Sequence, residues 1–387
     1  MQKRSEYLPF GRPNFSEAEI EAVSRVMRTG WIGMGPECLA FEAELASFTG
    51  AEQVVLVNSC TSALFLALLV KGVGPGDEVI CPSLTWLSSA NAALYAGADV
   101  VFCDVDPETC CITPQTVLPH VTARTRAVVA VHFGGLAADV QALRQVLPPE
   151  VAIIEDAAHA LGSLYASGEP VGSSGNPVCF SFYANKNLST GEGGAVALQD
   201  AALAARLRSL RLHGLPDDAW KRFSHPEVII AVQASELGYK MNYTDLQAAI
   251  GRIQLQRQPD FFEQRLAVAR VYADRLSRTD TGITLQSAIL DPGHARHLFL
   301  LRLSPGRTTK SRDTVLLELR RRNIGATLHY DPLHRMPLYS ARKGSEPGSL
   351  PVTETLCREI MTLPISASMT PDDAAQVVDA LLDVLST

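Results

Sequence analysis

Three groups of residues in this 387-residue sequence carry side chains able to do chemistry. The segment VCFSFYANKNLSTGEGGAV sets Lys186 just past an apolar run and before a glycine-rich return, where an amine can serve as a nucleophile. The segment VAIIEDAAHA ends in Glu155 and Asp156, with His159 three residues on, which puts acids at a strand end of the kind that faces ligands in α/β sheets. The segment VVLVNSCTSALFLALL runs a strand into a helix through Ser59, Cys60, Thr61 and Ser62. Free backbone N–H groups and hydroxyls converge there, and an anion fits. Each group alone has a plainer explanation: a capped helix start, a scaffold carboxylate, a solvated loop lysine. Together they supply what pyridoxal phosphate demands, namely a phosphate anchor, a partner for the pyridinium nitrogen and an amine for the Schiff base.

The elements that must position these residues follow from hydrophobic patterning. From residue 53 onward, short β-branched runs alternate with longer helical patterns, which predicts an α/β fold with a mostly parallel sheet covered by helices. Expected strands are Gln53–Asn58, Glu78–Cys81, Val100–Cys103, Ala127–His132, Val151–Ile154, Val178–Phe182 and Gly194–Leu198. Ala63–Val70 is apolar on all sides and is expected to be a buried helix. The polar stretch LPDDAWKRFSHPE after Gly214 reads as a lid. A long helical pattern from Thr244, bent at Pro259, then RHLFLLRLS, a helix over Thr314–Arg322, IGATLHY and two further helices suggest a smaller α+β unit. The last helix is signalled by Thr370 as cap, Pro371 at the first helical position and Asp372 and Asp373 at the positive end of the dipole. The expected division is a large domain over 1–250, including the N-terminal segment, and a small C-terminal domain over 251–387.

Composition narrows the function classes. Apolar residues make up 47% and charged residues 19%, enough for a sizeable core and unlike a disordered chain. Lys plus Arg is 34 against 41 acids, a net charge of −7, which argues against a nucleic-acid footprint. The longest apolar run, Ala63 to Val70, is too short to span a bilayer, and no signal peptide or lipidation site is legible, so the expected location is cytoplasmic. Eight cysteines sit in mostly apolar segments, never as CxxC, and read as buried thiols rather than disulfides or a zinc site. His329 with His334 and His294 with His297 lack accompanying ligands at metal spacing and are expected to face substrate or core; no metal is expected. Asp104 and Asp106 read as turn residues, and Arg320, Arg321 and Arg322 as a solvated helix face.

These residues resemble the DegT-type sugar aminotransferases over nearly the whole chain. The likeness is carried, in order, by GWIGMGPECLAFE, NSCTSALFLALL, PGDEVICPSLTW, IEDAAHALGS, FSFYANKN, GEGGAV, LRLHG, LGYKMNYTDLQAAI and IGATLHYDPLH. Within the family the chain is most similar to the enzyme that aminates a UDP-linked 4-keto pentose for lipid A modification, through CTSAL, PSLTW, DAAHA, HGLPDDAW and GYKMN. The resemblance implies the aspartate-aminotransferase-like fold type I, with a seven-stranded sheet and a smaller α+β domain.

It also implies roles. Lys186 would carry pyridoxal phosphate as an internal aldimine and act as general acid and base. Asp156 would keep the ring nitrogen protonated, His159 would bond near the ring hydroxyl and Trp86 would stack on the ring. Cys60, Thr61, Ser62 and Ser181 would line the phosphate site. Where many relatives bring an Asn from the neighbouring subunit, the register here places Lys240, with Asn242 nearby, and a homodimer with shared sites follows. Gly30, Trp31, His213, His329 and Tyr330 match segments that line the sugar-nucleotide pocket. The implied reaction moves an amino group from an amino acid, L-glutamate by likeness, to a nucleotide-linked keto sugar, ping-pong through pyridoxamine phosphate. The alternatives are a cofactor-binding sensor without turnover, for which no DNA-binding motif is present, and a sugar dehydratase, whose relatives carry His where this chain has Lys186.

Overall fold

In the computed structural model, which describes residues 3–216, 233–279, 281–304, 310–342 and 345–386, the seven β-branched runs pair into one sheet. They are β1 (Gln53–Val57), β2 (Glu78–Pro82), β3 (Asp99–Cys103), β4 (Thr125–Val131), β5 (Ala152–Asp156), β6 (Val178–Ser181) and β7 (Gly194–Leu198). The order is β1-β7-β6-β5-β4-β2-β3, and only β7 runs against the rest. Every central strand is buried along nearly its whole length, as expected for a sheet covered on both faces.

Two helices precede the sheet, α1 (Glu17–Thr29) and α2 (Pro36–Thr49). A capping box between Ser16 and Glu19 starts α1, and Gly30, at φ 75°, ends it. Between strands lie α3 (Cys60–Val70), α4 (Leu87–Tyr95), α5 (Pro114–Val117) and α6 (Val140–Val146), and α7 (Ala201–Leu210) follows β7. As its all-round apolar sequence requires, α3 is buried throughout most of its length. The long pattern after Thr244 is two helices, α8 (Asp245–Gln256) and α9 (Gln258–Ser277), with Pro259 in the first turn of the second. Asp245 at the start of α8 is buried and accepts the N–H groups of Gly35 (2.8 Å) and Cys38 (3.0 Å), which satisfies the free amides at the start of α2.

A second sheet of order β10-β9-β8 is antiparallel and joins β8 (Ile283–Leu285), β9 (Phe299–Leu303) and β10 (Ile360–Leu363). With α9, α10 (Arg312–Arg321) and α12 (Pro371–Ser386) it encloses a separate core of Tyr272, Phe299, Val315, Met361, Val377 and Leu381. Thr370 caps α12, as read from the sequence, and Asp373 in addition accepts the Thr370 N–H. The segment after α10 returns to the large sheet. Leu333 N–H bonds the Ser83 carbonyl, the Tyr339 hydroxyl donates to Asn91, and Asp104 accepts the N–H groups of Val352 and Thr353 at the start of α11 (Pro351–Glu359). Asp104 is therefore a helix cap, whereas Asp106 holds the expected turn through Glu108 and Thr109. None of the described helices is long and apolar enough to cross a membrane. The stretch expected to act as a lid lies, from residue 217 on, outside the described residues.

Candidate active site

Six strands, β1 to β6, end at one rim of the large sheet, and antiparallel β7 begins there. At that rim opens a cavity of about 470 Å³ whose lining includes Cys60, Thr61, Trp86, Asp156, His159, Ser181, Lys186, His329 and Tyr330. Side chains that are far apart in sequence thus meet because parallel strands deliver their carboxyl ends to the same edge.

On one side stands the start of α3. Ser59 caps it, its hydroxyl accepting the N–H of Ser62 at 3.1 Å. Thr61 pairs its hydroxyl with that of Ser88 at 2.7 Å. β7 passes so close that a Cβ at Gly194 would lie 2.6 Å from the Cys60 nitrogen, so only glycine lets the strand run beside the helix's first amides. Ser62 differs from expectation: its hydroxyl donates to Asn58 at 2.7 Å and it does not line the cavity.

Strand alternation separates the two acids of β5. Glu155 points away, fully buried among His132, Tyr165, Ser174 and Asn176, and is part of the scaffold. Asp156 points into the cavity, where Ser89 donates to one oxygen at 2.6 Å and the Ala158 N–H to the other at 3.1 Å. His159 accepts the Gly134 N–H at Nδ1 (3.3 Å), so its Nε2 carries the proton toward the Tyr330 hydroxyl at 3.2 Å. Burial, then the charge of Lys186 and of His329, holds its imidazole well below its usual range and keeps it neutral.

Lys186 hangs from the return between β6 and β7. Burial pushes its ammonium down to about 8, while Cys60 and Asp156 pull it back up. An amine so poised is available as nucleophile and base near neutral pH. The return is held by Thr190 N–H to the Phe182 carbonyl, Phe182 N–H to the Gly193 carbonyl, and the Tyr243 hydroxyl to Thr190. Trp86, 56% exposed, presents an open ring face, with its centroid 5.6 Å from that of Tyr330. His329, pushed down to about 3 by burial and by Lys186, pairs with Thr362 at 2.8 Å.

Other expected residues do not line this cavity within the chain. Gly30 and Trp31 lie at the end of α1, the indole N–H of Trp31 donating to the Met34 carbonyl. His213 is exposed, with φ 60°. Lys240 is exposed and bridges Leu212 through its backbone, and Asn242 donates to the Tyr243 carbonyl. Sequence reasoning missed Ser88 and Ser89, which lie two and three residues past the quoted PSLTW segment. It also expected His297 only to face substrate or core; the ring is buried, with its Nε2 3.4 Å from Lys186 Nζ. Of the other paired histidines, His334 is tied to Ser83 and Glu354, and His294 to Gln286. Among the described residues no cluster of His, Cys, Asp or Glu suits a metal ion.

The sequence matches the profile of the DegT/DnrJ/EryC1/StrS aminotransferase family over residues 13–382. The chain belongs to that family. Among its relatives, the spore coat polysaccharide biosynthesis protein SpsC of Bacillus subtilis is 39% identical, the match covering 100% of this chain and 99% of that one. Solved structures share the fold. DesV of S. venezuelae, in complex with a ketimine intermediate, is 33% identical with TM-score 0.87, covering 99% of this chain and 100% of that one. The PLP form of the putative sugar aminotransferase Spr1654 of Streptococcus pneumoniae is 28% identical with TM-score 0.89, covering 98% and 99%. Family membership fixes the fold type I architecture anticipated from the sequence and makes the chain an aminotransferase.

Proposed function

We propose that this chain is a pyridoxal phosphate-dependent aminotransferase that moves an amino group from L-glutamate to a nucleotide-linked keto sugar, a UDP-4-keto sugar, by ping-pong half-reactions in the cytoplasm. The observation that carries the reading is a single cavity in which the amine of Lys186, the carboxylate of Asp156 and the open start of α3 face one another. These three fit the cofactor's aldehyde, ring nitrogen and phosphate respectively. Thr61, Ser181 and the first amides of α3, including that of Cys60, would hold the phosphate, with Trp86 over the ring and His159 beside its hydroxyl.

When bound, pyridoxal phosphate would supply an aldehyde for the donor's amine and a sink for the electron pair left as a carbon loses its proton. Lys186 would carry a proton at Nζ between the amino-bearing carbon and the cofactor's carbon, in opposite directions in the two half-reactions, a task suited to an amine whose proton affinity lies near the working pH. Asp156, its two oxygens oriented by Ser89 and Ala158, would keep the ring nitrogen charged. His329 and Tyr330 at the cavity wall, with Gly30, Trp31 and His213, would meet the sugar nucleotide. Lys240 and Asn242 would reach the phosphate of a neighbouring subunit, so the active unit would be a homodimer. The proposed division remains a cofactor-binding domain over 1–250 and a smaller one over 251–387.

The test is incubation of purified protein with glutamate and a panel of UDP- and dTDP-linked 3-keto and 4-keto sugars, with products read by mass and configuration. Amination of a UDP-4-keto sugar is expected. Bound cofactor with no turnover across the panel would favour a sensor instead.

A further inference from the structure

His297 lies between β8 and β9, buried, with its ring centroid 4.5 Å from that of His159. Which of its nitrogens carries the proton follows from the bonds behind it. The Asn187 amide donates its Nδ2–H to the Ala295 carbonyl at 2.8 Å, which turns its Oδ1 toward His297 Nδ1 at 3.2 Å. An amide oxygen only accepts, so Nδ1 carries the proton and Nε2, 3.4 Å from Lys186 Nζ, is a bare acceptor. The neighbouring His159 has the opposite order, accepting at Nδ1 from Gly134.

Protonation of His297 is opposed from every side. It is desolvated, and it faces Lys186, His159, Arg265 and His329. The buried Arg265 spends its guanidinium on the carbonyls of Arg296 and Ile365. The acids of the site lie elsewhere: Asp156 acts on Lys186 together with Cys60.

We infer that His297 is a positioning residue for Lys186: the proton order imposed by Ala295 and Asn187 presents an acceptor that takes one N–H of Nζ and parks the amine whenever it is not joined to the cofactor. The inference rests on the reading of Lys186 as the cofactor's lysine. A parked amine has a set direction as well as a set place, which favours attack along one line. A bond from a neutral ring to the ammonium also stabilises the protonated lysine, so its loss moves the pH at which free amine appears downward.

The experiment mixes apoprotein with pyridoxal phosphate and follows capture by absorbance across neutral and alkaline pH. In capture, the lysine nitrogen bonds the aldehyde carbon and the carbonyl oxygen leaves as water. For the natural chain, capture is expected to rise with a midpoint near the lysine value of about 8. His297→Phe is expected to slow capture about tenfold and to lower the midpoint by about one unit. His297→Gln, whose amide oxygen can accept at similar reach, is expected to restore both. Equal behaviour of all three proteins, or equal losses in the two variants, overturns the inference. Because the Phe variant can disturb folding, nitrogen NMR of the natural apoprotein provides an independent check. A proton on Nδ1 of His297 at neutral pH supports the inference, and one on Nε2 ends it. Borohydride reduction of the natural holoenzyme reads the underlying proposal separately. An unlabelled Lys186 peptide defeats the function proposed above, whereas a labelled peptide with unmoved midpoints defeats only the role of His297.

Discussion

Lys186 is the residue on which activity should depend most steeply. Lys186→Ala is expected to abolish turnover and borohydride labelling while leaving the thermal midpoint of the apoprotein no lower than that of the natural chain, because a charge held in a desolvated place is removed. Retained turnover in that variant would refute the mechanism. The buried histidines have a separate consequence. His294 and His329 are pushed down to about 3 by burial, so between about pH 6.5 and about pH 3 the unfolded chain binds protons that the folded chain refuses. Stability is therefore present above the unfolded value and lost as the pH falls through this window. Urea midpoints should drop between pH 7.5 and pH 5, and His294→Gln should flatten that drop; an unchanged slope in the variant would count against it. At this scale Asp156 was legible only through the motif that carries the family resemblance, and the strand's period supplies the physical reason that it, and not its neighbour, faces the cavity. Asp156 and Glu155 are adjacent, and two-residue alternation sends only one of them to the cavity. Ser89 and His297 were not legible, because their partners Asp156 and Lys186 lie 67 and 111 residues away and tertiary packing alone brings them together.

Among the elements, the start of α3 and the strand beside it form the most tightly fitted pair. A methyl group at position 194 would meet backbone, Cys60 N at 2.6 Å and Ser59 O at 2.7 Å, and backbone cannot rotate aside as a side chain can. Gly194→Ala is expected to cost about 1–3 kcal/mol by overpacking and to weaken phosphate binding by displacing the helix start. Gly74→Ala, with nothing within 4 Å of the added carbon, is the control and should change little. Chemical denaturation and inorganic phosphate titration of both variants would read this; equal effects would show that the close approach is unimportant. All seven strands of the large sheet were legible because β-branched runs alternate with helices of contrasting period. β8 and β10 were not. β8 has three residues, and β10 follows α11 without a turn residue between, so no local signal separates strand from helix.

For the molecule as a whole, the position of Lys240 away from its own cavity yields a prediction about assembly. If its ammonium serves a neighbouring subunit, mixing Lys186→Ala and Lys240→Ala proteins after dissociation creates hybrids with one fully natural site. Random pairing makes half the dimers hybrid with one such site each, so activity should recover to about one quarter of the natural value. A mixture no more active than the mean of its parents would place Lys240 outside the partner's site. The pattern changes after residue 244, and the core around the second sheet is built from residues beyond it; the return of residues 333–357 to the large sheet was not legible, since it rests on long-range packing of Leu333, Leu350 and Leu356 into the large core and on bonds such as Tyr339 to Asn91. The strand return that bears Lys186 is pinned near both ends and again at Thr190. A mount clamped in this way leaves the four methylenes of the lysine as the moving part, so the nitrogen changes partners by torsion of its own arm. Crystals soaked with an amino donor should therefore keep their cell dimensions while that one chain of carbons swings.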